Sequence, residues 1–261
     1  MAQLMGVVNV TPDSFSDGGL YLDPEAAVAH GLELVEAGAE ILDVGGESTR
    51  PGADPVSAEE ELRRVVPVIR GLSGSQARIS VDTSKTVVAA AALDAGAEIV
   101  NDVTALRGDA EMAGFCAARG ATVVLMHMLG EPRTMQKDPR YEDVVDDVKA
   151  FLAAHLEAAV AAGIDEERVW LDPGIGFGKT AAHNMELLRR LSELRELGRP
   201  LVIGTSRKSF IGKVDGSPAD QRLGGTIASS VLAAAEGAEV LRVHDVAEVR
   251  QALAVAAAIL G

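Results

Sequence analysis

Potential oxygen ligands are concentrated directly after a short apolar segment near the start of the chain. The segment MGVVNVTPDSFSDGG, residues 5–19, opens with apolar residues suited to a buried strand and continues with Asn9, Asp13, Asp17 and several hydroxyl side chains. Amide, carboxylate and hydroxyl oxygens can hold a hard cation, and they can also accept hydrogen bonds. The residue types alone do not choose between these two uses.

Further carboxylates follow other apolar runs. Asp82, Asn101 and Asp172 would place two carboxylates and an amide in one space if all three point inward. Buried carboxylates need a metal, a cation or an array of donors to offset lost hydration, so a divalent ion or a heterocycle with adjacent N–H groups would serve. Taken singly, Asp82, Asp172, Asp43 and Asp102 could each instead cap the next helix.

Four basic side chains stand where the same apolar runs end. They are Lys208, Arg242 and His244, together with Arg50 on a Gly/Pro loop. The chain carries 24 Lys and Arg against 39 Asp and Glu, which argues against a general binder of nucleic acid or anionic membranes. The cations therefore predict a local site for an anionic or electron-rich ligand, and diphosphate suits Arg and an imidazolium.

The segment DPGIGFGKT, residues 172–180, is close to a nucleotide-binding P-loop but does not match it. Pro173 stands where the P-loop pattern requires its first glycine, and proline has no N–H group to bind a phosphate. A nucleotide hydrolase is therefore disfavoured. We expect the glycines to let a ligand approach the backbone, with Phe177 as an apolar wall.

The histidines and the single cysteine do not form a known covalent or metal motif. His30 and His155 fall in helical stretches, His183 opens a helix where capping is expected, and His127 could serve packing as well as ligand contact. Cys116 is predicted to be a small core residue. Because no H-E-x-x-H, cysteine cluster or G-x-S-x-G pattern occurs, a covalent enzyme intermediate is not favoured.

The elements that must position these residues follow a regular alternation. Apolar runs rich in Val, Ile and Leu occupy residues 4–10, 40–46, 78–84, 98–103, 122–127, 168–174, 200–206 and 239–245. They begin about 33 residues apart on average, which suits one strand–helix unit each. Eight such units predict a single-domain (β/α)₈ barrel over residues 1–261, with the chemistry at the carboxyl ends of the strands.

Three predicted helices end in a similar AGAE or EGAE segment, at residues 37–40, 95–98 and 236–239. Glycine can end a helix there, just before the next strand.

No stretch approaches the roughly 20 apolar residues of a membrane span, and the start of the chain has no signal-peptide pattern. The sequence therefore predicts a cytoplasmic protein.

The motifs at the strand ends resemble, in order, those of the dihydropteroate synthase family. The matching segments are NVTPDSFSDGG, DVGGESTRPGA, SVDTSK, NDV, MHMLGEPRTMQ, DPGIGFGK, GTSRKSFIG, RLGGTIAS and RVHDV. The similarity runs from about Leu4 to the last helix. The chain departs from the family in having Thr104 and Ala105 where glycine or serine is also common, which concerns local packing.

The resemblance implies a transferase of folate biosynthesis. The implied reaction condenses 6-hydroxymethyl-7,8-dihydropterin diphosphate with 4-aminobenzoate, giving 7,8-dihydropteroate and diphosphate. It also implies a (β/α)₈ barrel, a homodimer and assistance by Mg²⁺. The implied partners are small molecules, with no nucleic acid and no membrane.

The resemblance further implies site roles by position. Pterin binding falls to Asp82, Asn101, Asp172 and Lys208. Diphosphate binding falls to Asn9, Arg242 and His244. The contacts of 4-aminobenzoate fall to Thr49, Arg50, Pro51, Phe177, Lys208 and Ser209. Catalysis involves Asn9, Asp17, Arg50, Lys208, Arg242 and His244, and the Mg²⁺ ligand is Asn9, with Asp13 or Asp17 as further oxygen donors.

A mechanism follows from these roles. The Asp172 carboxylate can accept hydrogen bonds from the amino group and ring N–H of a pterin. With no enzyme nucleophile, the aromatic amine attacks the pterin methylene directly, in an SN1-like displacement of diphosphate. Two alternatives remain at this point: a corrinoid-dependent pterin methyltransferase, which would lack the TPDSFSDGG and STRPGA loops, and a pterin-binding protein without turnover.

Overall fold

The computed structural model describes residues 2–11, 23–49, 53–131 and 134–261. Four residues to which the sequence assigns a role, Asp13, Asp17, Arg50 and Pro51, lie outside these ranges. The structural findings below concern the described residues.

Eight strands and nine α-helices form within the described ranges, in the predicted alternation. The strands are β1 (Gln3–Asn9), β2 (Ile41–Gly45), β3 (Arg78–Asp82), β4 (Ile99–Asp102), β5 (Thr122–Met126), β6 (Val169–Asp172), β7 (Val202–Ile203) and β8 (Val240–Val243). The helices are α1 (Pro24–Ala37), α2 (Ala58–Leu72), α3 (Thr86–Ala95), α4 (Met112–Arg119), α5 (Val144–Ala161), α6 (Ala181–Arg189), α7 (Ser209–Asp215), α8 (Leu223–Ala235) and α9 (Val246–Leu260).

The strands form one parallel sheet that closes on itself. Their order is β6-β5-β4-β3-β2-β1-β8-β7, so the first and last strands of the chain are neighbours. The remaining gap is closed by a parallel bridge between Leu171 and Leu201, next to a hydrogen bond from Leu171 N to Pro200 O of 2.9 Å. The predicted (β/α)₈ barrel is confirmed.

The barrel has one apolar cluster inside it and another around it. The interior cluster draws one residue from each of seven strands: Met5, Ile41, Ile99, Val124, Trp170, Val202 and Val240. The larger cluster lies between the strands and the helices and includes Leu42, Ile69 and Leu253. Cys116 is fully buried in this outer layer, which confirms its prediction as a core residue. The two layers leave the carboxyl ends of the strands for polar side chains.

The helix ends agree with the glycine pattern. Gly38, Gly96 and Gly237 adopt φ values of 107°, 115° and 100°, which side chains with a Cβ rarely adopt, and each follows the end of a helix. The prediction of helix ends at the AGAE and EGAE segments is confirmed.

The interval after β7 differs from the simple prediction of one helix per strand. β7 is only two residues long, because Pro200 cannot donate to a ladder and Leu201 pairs only as a bridge. Two helices, α7 and α8, then follow instead of one, since Gly216 ends α7 in the left-handed region and Pro218 follows it.

Within the described part of the chain, no helix has both the length and the apolar character to cross a bilayer.

Candidate active site

A cavity of about 450 Å³ opens at the carboxyl ends of the strands. Residues from several strand ends and loops line it: Asn9, Thr11, Glu47, Ser48, Thr49, Asp82, Met135, Gly176, Phe177, Gly204, Ser206, Arg207, Lys208, Ser209, Ala219, Arg222, Arg242 and His244. The cavity therefore brings together eight residues to which the sequence assigns a role.

A guanidinium bridges two carboxylates at the bottom of this cavity. Arg242 Nε donates to Asp43 Oδ2 at 2.6 Å, and Arg242 Nη2 donates to Asp82 Oδ2 at 3.1 Å. Asp43 is completely buried and also accepts from Ser80 Oγ at 2.6 Å and from Asn101 Nδ2 at 3.0 Å. Asp43 therefore orients both Arg242 and Asn101.

The charges of this network are tightly coupled. Burial and the nearby charge of Asp43 raise the pKa of Asp82 to about 8, and Arg242 only partly opposes them. Burial alone would lower the pKa of Arg242, but Asp43 and Asp82 raise it overall. A cationic Arg242 therefore faces Asp82, a carboxyl group that gains a proton easily.

Asp172 and Lys208 are two further ionisable groups at the strand ends, after β6 and β7. Asp172, the last residue of β6, accepts from Gly174 N at 2.7 Å, and burial raises the pKa of its carboxyl group. Lys208 Nζ donates to Ile175 O and lies 4.8 Å from the centre of the Phe177 ring. Burial lowers the pKa of Lys208 to about 8, although Asp172 opposes this.

The loops after β7 and β8 are joined to one another by polar contacts. Ser206 Oγ lies 2.9 Å from His244 Nδ1 and accepts from His244 N at 3.2 Å. Arg207 Nε donates to Asp245 Oδ2 at 3.0 Å, and Arg207 itself has a left-handed φ of 56°. These contacts hold His244 and the neighbouring Lys208 at the cavity.

Asn9 and Asp82 point their oxygens at one small space beside Gly45. A Cβ placed on Gly45 would lie 3.8 Å from both Asn9 Oδ1 and Asp82 Oδ2. Asn9 Oδ1 and Asp82 Oδ2, from β1 and β3 on either side of β2, therefore lie near one space, and Asp82 Oδ2 already accepts from Arg242.

Thr49 and Glu47 belong to a loop that is fastened at its base. Lys85 Nζ donates to Glu47 and to Glu61, a completely buried carboxylate 2.5 Å away. Glu47 in turn accepts from Val56 N at 3.2 Å. Thr49 lines the cavity from this loop, opposite Ser209, the first residue of α7.

Asp102 has a local structural role, but it orders the turn after β4 and does not cap the next helix, which begins at Met112 after Glu111. Its carboxylate accepts from Thr104 N at 2.8 Å and from Leu106 N at 3.0 Å. These bonds hold Ala105 and Leu106 at left-handed φ values of 54° and 63°. The departure from glycine or serine at residue 105 is thus accommodated by the Asp102 turn.

Two glycines of the loop after β6 lie against the protein's own backbone. A Cβ on Gly174 would lie 1.9 Å from His127 O, and a Cβ on Gly178 would lie 2.5 Å from Leu129 O. The expectation that these glycines admit a ligand is therefore wrong for these two positions. Gly176 and Phe177 do line the cavity, as predicted for the Phe177 wall.

His127 packs in the interior. Its ring lies edge-on to Phe151 with the centroids 4.7 Å apart, and burial lowers its pKa to about 3. His183 completes a capping box with Thr180 at the start of α6, so the capping prediction is confirmed.

The sequence analysis assigned no binding or catalytic role to three residues of this region. Asp43 stands in the middle of an apolar run, and that unusual position for a carboxylate was the available signal. Ser206 precedes the RKS segment and could be found only through its contact with His244. Lys179, which was weighed only as part of a P-loop, is buried and contacts His127.

An eight-stranded parallel barrel with carboxylates, cations and an aromatic ring at one mouth defines a barrel enzyme of the (β/α)₈ class. The chain belongs to the family of pterin binding enzymes, whose model matches residues 5–244. The dihydropteroate synthase of Escherichia coli K12 is 46% identical over 258 residues, covering 98% of this chain and 91% of that protein.

Solved structures show the same similarity. A Yersinia pestis dihydropteroate synthase with a sulfonamide drug superposes with a TM-score of 0.96 at 46% identity, covering 99% of this chain and 94% of the other. The Xanthomonas albilineans enzyme with 4-aminobenzoic acid gives a TM-score of 0.93 at 50% identity, covering 100% and 93%. Its structure with 7,8-dihydropteroate gives 0.89 at 47% identity, covering 100% and 94%.

The close approach at Gly174 generates a prediction about stability. We expect Gly174→Ala to lower the free energy of unfolding by about 3 kcal/mol, because Ala resists φ of +67° and its Cβ would overlap His127 O. Urea unfolding measures the change. Gly114→Ala is the matched control: Gly114 lies inside α4 with open space around it, so alanine there should stabilise by roughly 0.5–1 kcal/mol. Equal stability of the two variants would contradict the packing described for Gly174.

Proposed function

We propose that this enzyme transfers the dihydropterin-6-ylmethyl group of 6-hydroxymethyl-7,8-dihydropterin diphosphate to the amine of 4-aminobenzoate, giving 7,8-dihydropteroate and diphosphate. The single observation that carries this is the arrangement of the cavity, in which buried carboxylates face cations and an aromatic ring. The near full-length similarity to dihydropteroate synthases supports the same transferase function.

The pterin is proposed to lie deepest, between Asp172, Asp82 and Asn101. The Asp172 carboxylate has lone pairs beyond the one used by Gly174 N, so it can accept from the adjacent amino and ring N–H groups of a pterin. Lys208, held over Phe177, can donate to a ring oxygen or nitrogen. Partners of this kind stabilise charges that burial otherwise disfavours.

The diphosphate is proposed to lie against Arg242, His244 and Asn9. All three line the cavity, and Ser206 Oγ contacts the His244 ring at Nδ1. Asp43 fixes the direction of the Arg242 guanidinium. Donors that are already oriented stabilise negative charge on a leaving group without reorganising.

The 4-aminobenzoate is proposed to lie nearer the cavity entrance. Phe177 offers a ring face and Lys208 a cation beside it, while Thr49 and Ser209 supply hydroxyl groups. Ser209 is also the first residue of the seven-residue helix α7. Arg50 and Pro51, which the sequence assigns to the same subsite, lie outside the described residues.

Mg²⁺ is proposed as the cofactor, bound with the diphosphate. Asn9 would supply a protein oxygen, and an amide oxygen is a ligand type that suits this cation. When bound, Mg²⁺ would neutralise charge on the diphosphate oxygens. Asp13 and Asp17 lie outside the described residues.

The bond changes follow from the proposed positions. The carbon–oxygen bond between the pterin methylene and the diphosphate breaks, and its electron pair leaves with the diphosphate facing Arg242 and His244. The pterin ring delocalises the resulting cation. The lone pair of the aromatic amine then forms the carbon–nitrogen bond, and the amine releases a proton. The displacement is thus SN1-like, and positioning and charge stabilisation are the protein's contribution.

A product assay tests the function and separates it from the two alternatives. Purified protein is incubated with the pterin diphosphate and Mg²⁺, with and without 4-aminobenzoate, and dihydropteroate and diphosphate are measured. We expect both products only with 4-aminobenzoate, loss of product with EDTA, and recovery when Mg²⁺ is restored. Pterin binding with no product would indicate a non-catalytic protein, and methyl transfer from a methylated pterin would indicate the methyltransferase. Activity unaffected by EDTA would contradict the proposed cofactor.

The assignment of Asp172 as the pterin anchor predicts the effect of Asp172→Asn. An amide loses the negative charge and one of its two acceptor oxygens, so pterin binding should weaken by about 2 kcal/mol, roughly thirty-fold. Calorimetric titration with the pterin measures this. Asp165→Asn is the matched control, because Asp165 caps a turn before the other end of β6 and asparagine can also cap. Unchanged pterin affinity in Asp172→Asn would refute the assignment.

We also propose that the protein is a cytoplasmic homodimer. Large apolar side chains are exposed on three helices that pack together: Met185 on α6, Val214 on α7, and Leu223 and Leu232 on α8. A second copy of this chain would cover them. Light scattering should then give twice the chain mass of 27.1 kDa, and Leu232→Glu should lower the value. A wild-type mass of one chain would contradict the dimer.

A further inference from the structure

We propose that Lys179 is a positioning residue that fixes Phe177, and through it the 4-aminobenzoate subsite, from behind the cavity wall. The inference rests on the proposed function. Lys179 follows the loop after β6 and is only 3% exposed. Its Nζ contacts Phe177 O and His127 Nδ1, so we infer that it acts through other residues.

The Lys179 ammonium is held by three acceptors from two loops. Its Nζ donates to Phe177 O at 3.0 Å, to His127 Nδ1 at 2.8 Å and to His127 O at 3.5 Å. Phe177 belongs to the loop after β6, whereas His127 directly follows β5. One side chain therefore joins the backbone of the cavity wall to the neighbouring strand end.

His127 is a firm attachment point for this ammonium. Its ring packs edge-on against Phe151, and burial lowers its pKa to about 3, so the ring is neutral near pH 7. Because Nδ1 accepts from Lys179, the ring proton lies on Nε2. The imidazole can therefore serve as a fixed acceptor for Lys179.

An apolar side chain would fill this position without the cost of burying an amine. Among the described residues, Lys179 has no carboxylate partner at salt-bridge distance, and burial lowers its pKa to about 7, although the charge of Asp172 opposes this. Burying an ammonium without a carboxylate partner is unfavourable. The three contacts offset part of that cost, and one of them joins Nζ to the Phe177 backbone.

Two lysines therefore contact Phe177, one at its backbone and the other at its ring. Lys179 binds its carbonyl behind the wall, and Lys208 lies over its ring and donates to Ile175 O on the cavity side. Gly176 N donates to Asn184 Oδ1 at 2.7 Å, and this further bond holds the loop at Gly176. Removing Lys179 should therefore loosen Phe177 without detaching the whole loop.

The predicted defect is selective for one substrate. Phe177 belongs to the proposed 4-aminobenzoate subsite, whereas Asp82 and Asn101 of the pterin subsite come from β3 and β4, away from this loop. Lys208 and the Gly174 N–H both lower the pKa of Asp172 more than the charge of Lys179 does. Loss of Lys179 should therefore weaken 4-aminobenzoate binding more than pterin binding.

Lys179→Met tests the inference, because methionine keeps much of the stem and removes the ammonium. We expect KM for 4-aminobenzoate to rise at least about tenfold, with KM for the pterin diphosphate changing less than about threefold. Lys149→Met is the matched control, since Lys149, on α5, makes a surface ion pair with Glu196 and its loss should leave both KM values unchanged. Equal increases for both substrates, or no increase, would overturn the inference.

Two further measurements keep the test decisive. Thermal unfolding checks that Lys179→Met folds. If it does not, His127→Leu replaces it, because this variant removes the Nδ1 acceptor of Lys179 Nζ. A larger rise in KM for 4-aminobenzoate than for the pterin diphosphate supports the inference. Equal rises, or no rise, overturn it. Calorimetric titration of 4-aminobenzoate in the presence of pterin and diphosphate applies the same criterion without turnover. A wild type that binds both ligands but forms no dihydropteroate would refute the proposed function and not the role of Lys179.

Discussion

The contact between Arg242 and two buried carboxylates is the interaction on which the rest of the site depends. Asp43 and Asp82 stand above the apolar interior of the barrel, where burying carboxyl groups without a cation beside them is costly. Arg242 supplies it from β8. The two carboxylates hold the Arg242 guanidinium in one orientation. Arg242 therefore offsets their charge and also lines the cavity.

The barrel is built in layers that make this possible. Below the carboxylates, one apolar residue from each of seven strands fills the interior of the barrel. Outside the barrel, a second apolar layer lies between the strands and the helices. Water is thereby kept from the bottom of the site, which strengthens every charge above it. The raised pKa of Asp82 and the lowered pKa of Lys208 are consequences of the same burial.

Polar side chains that contact one another or the backbone hold the loops after the strands in place. Asp102 orders the turn after β4, Lys85 joins Glu47 and Glu61 under the Thr49 loop, and Ser206 joins the loops after β7 and β8. Loops carry binding groups in many enzymes because a rigid scaffold can position them. Here the scaffold includes these buried ionic and hydroxyl contacts.

The sequence by itself determined the order of the elements and the strand-end positions of Asn9, Asp82, Asp172, Lys208 and Arg242. It could do so because strand periodicity, helix-ending glycines and strand ends depend on neighbouring residues only. The tertiary structure decided the pairings. Arg242 and Asp43 are 199 residues apart, and they meet because closure brings β8 beside β1 and β2. Lys179 and His127 meet because β5 and β6 are neighbours, and Gly174 and Gly178 contact backbone for the same reason. Such contacts depend on register and barrel closure, which local sequence patterns do not encode.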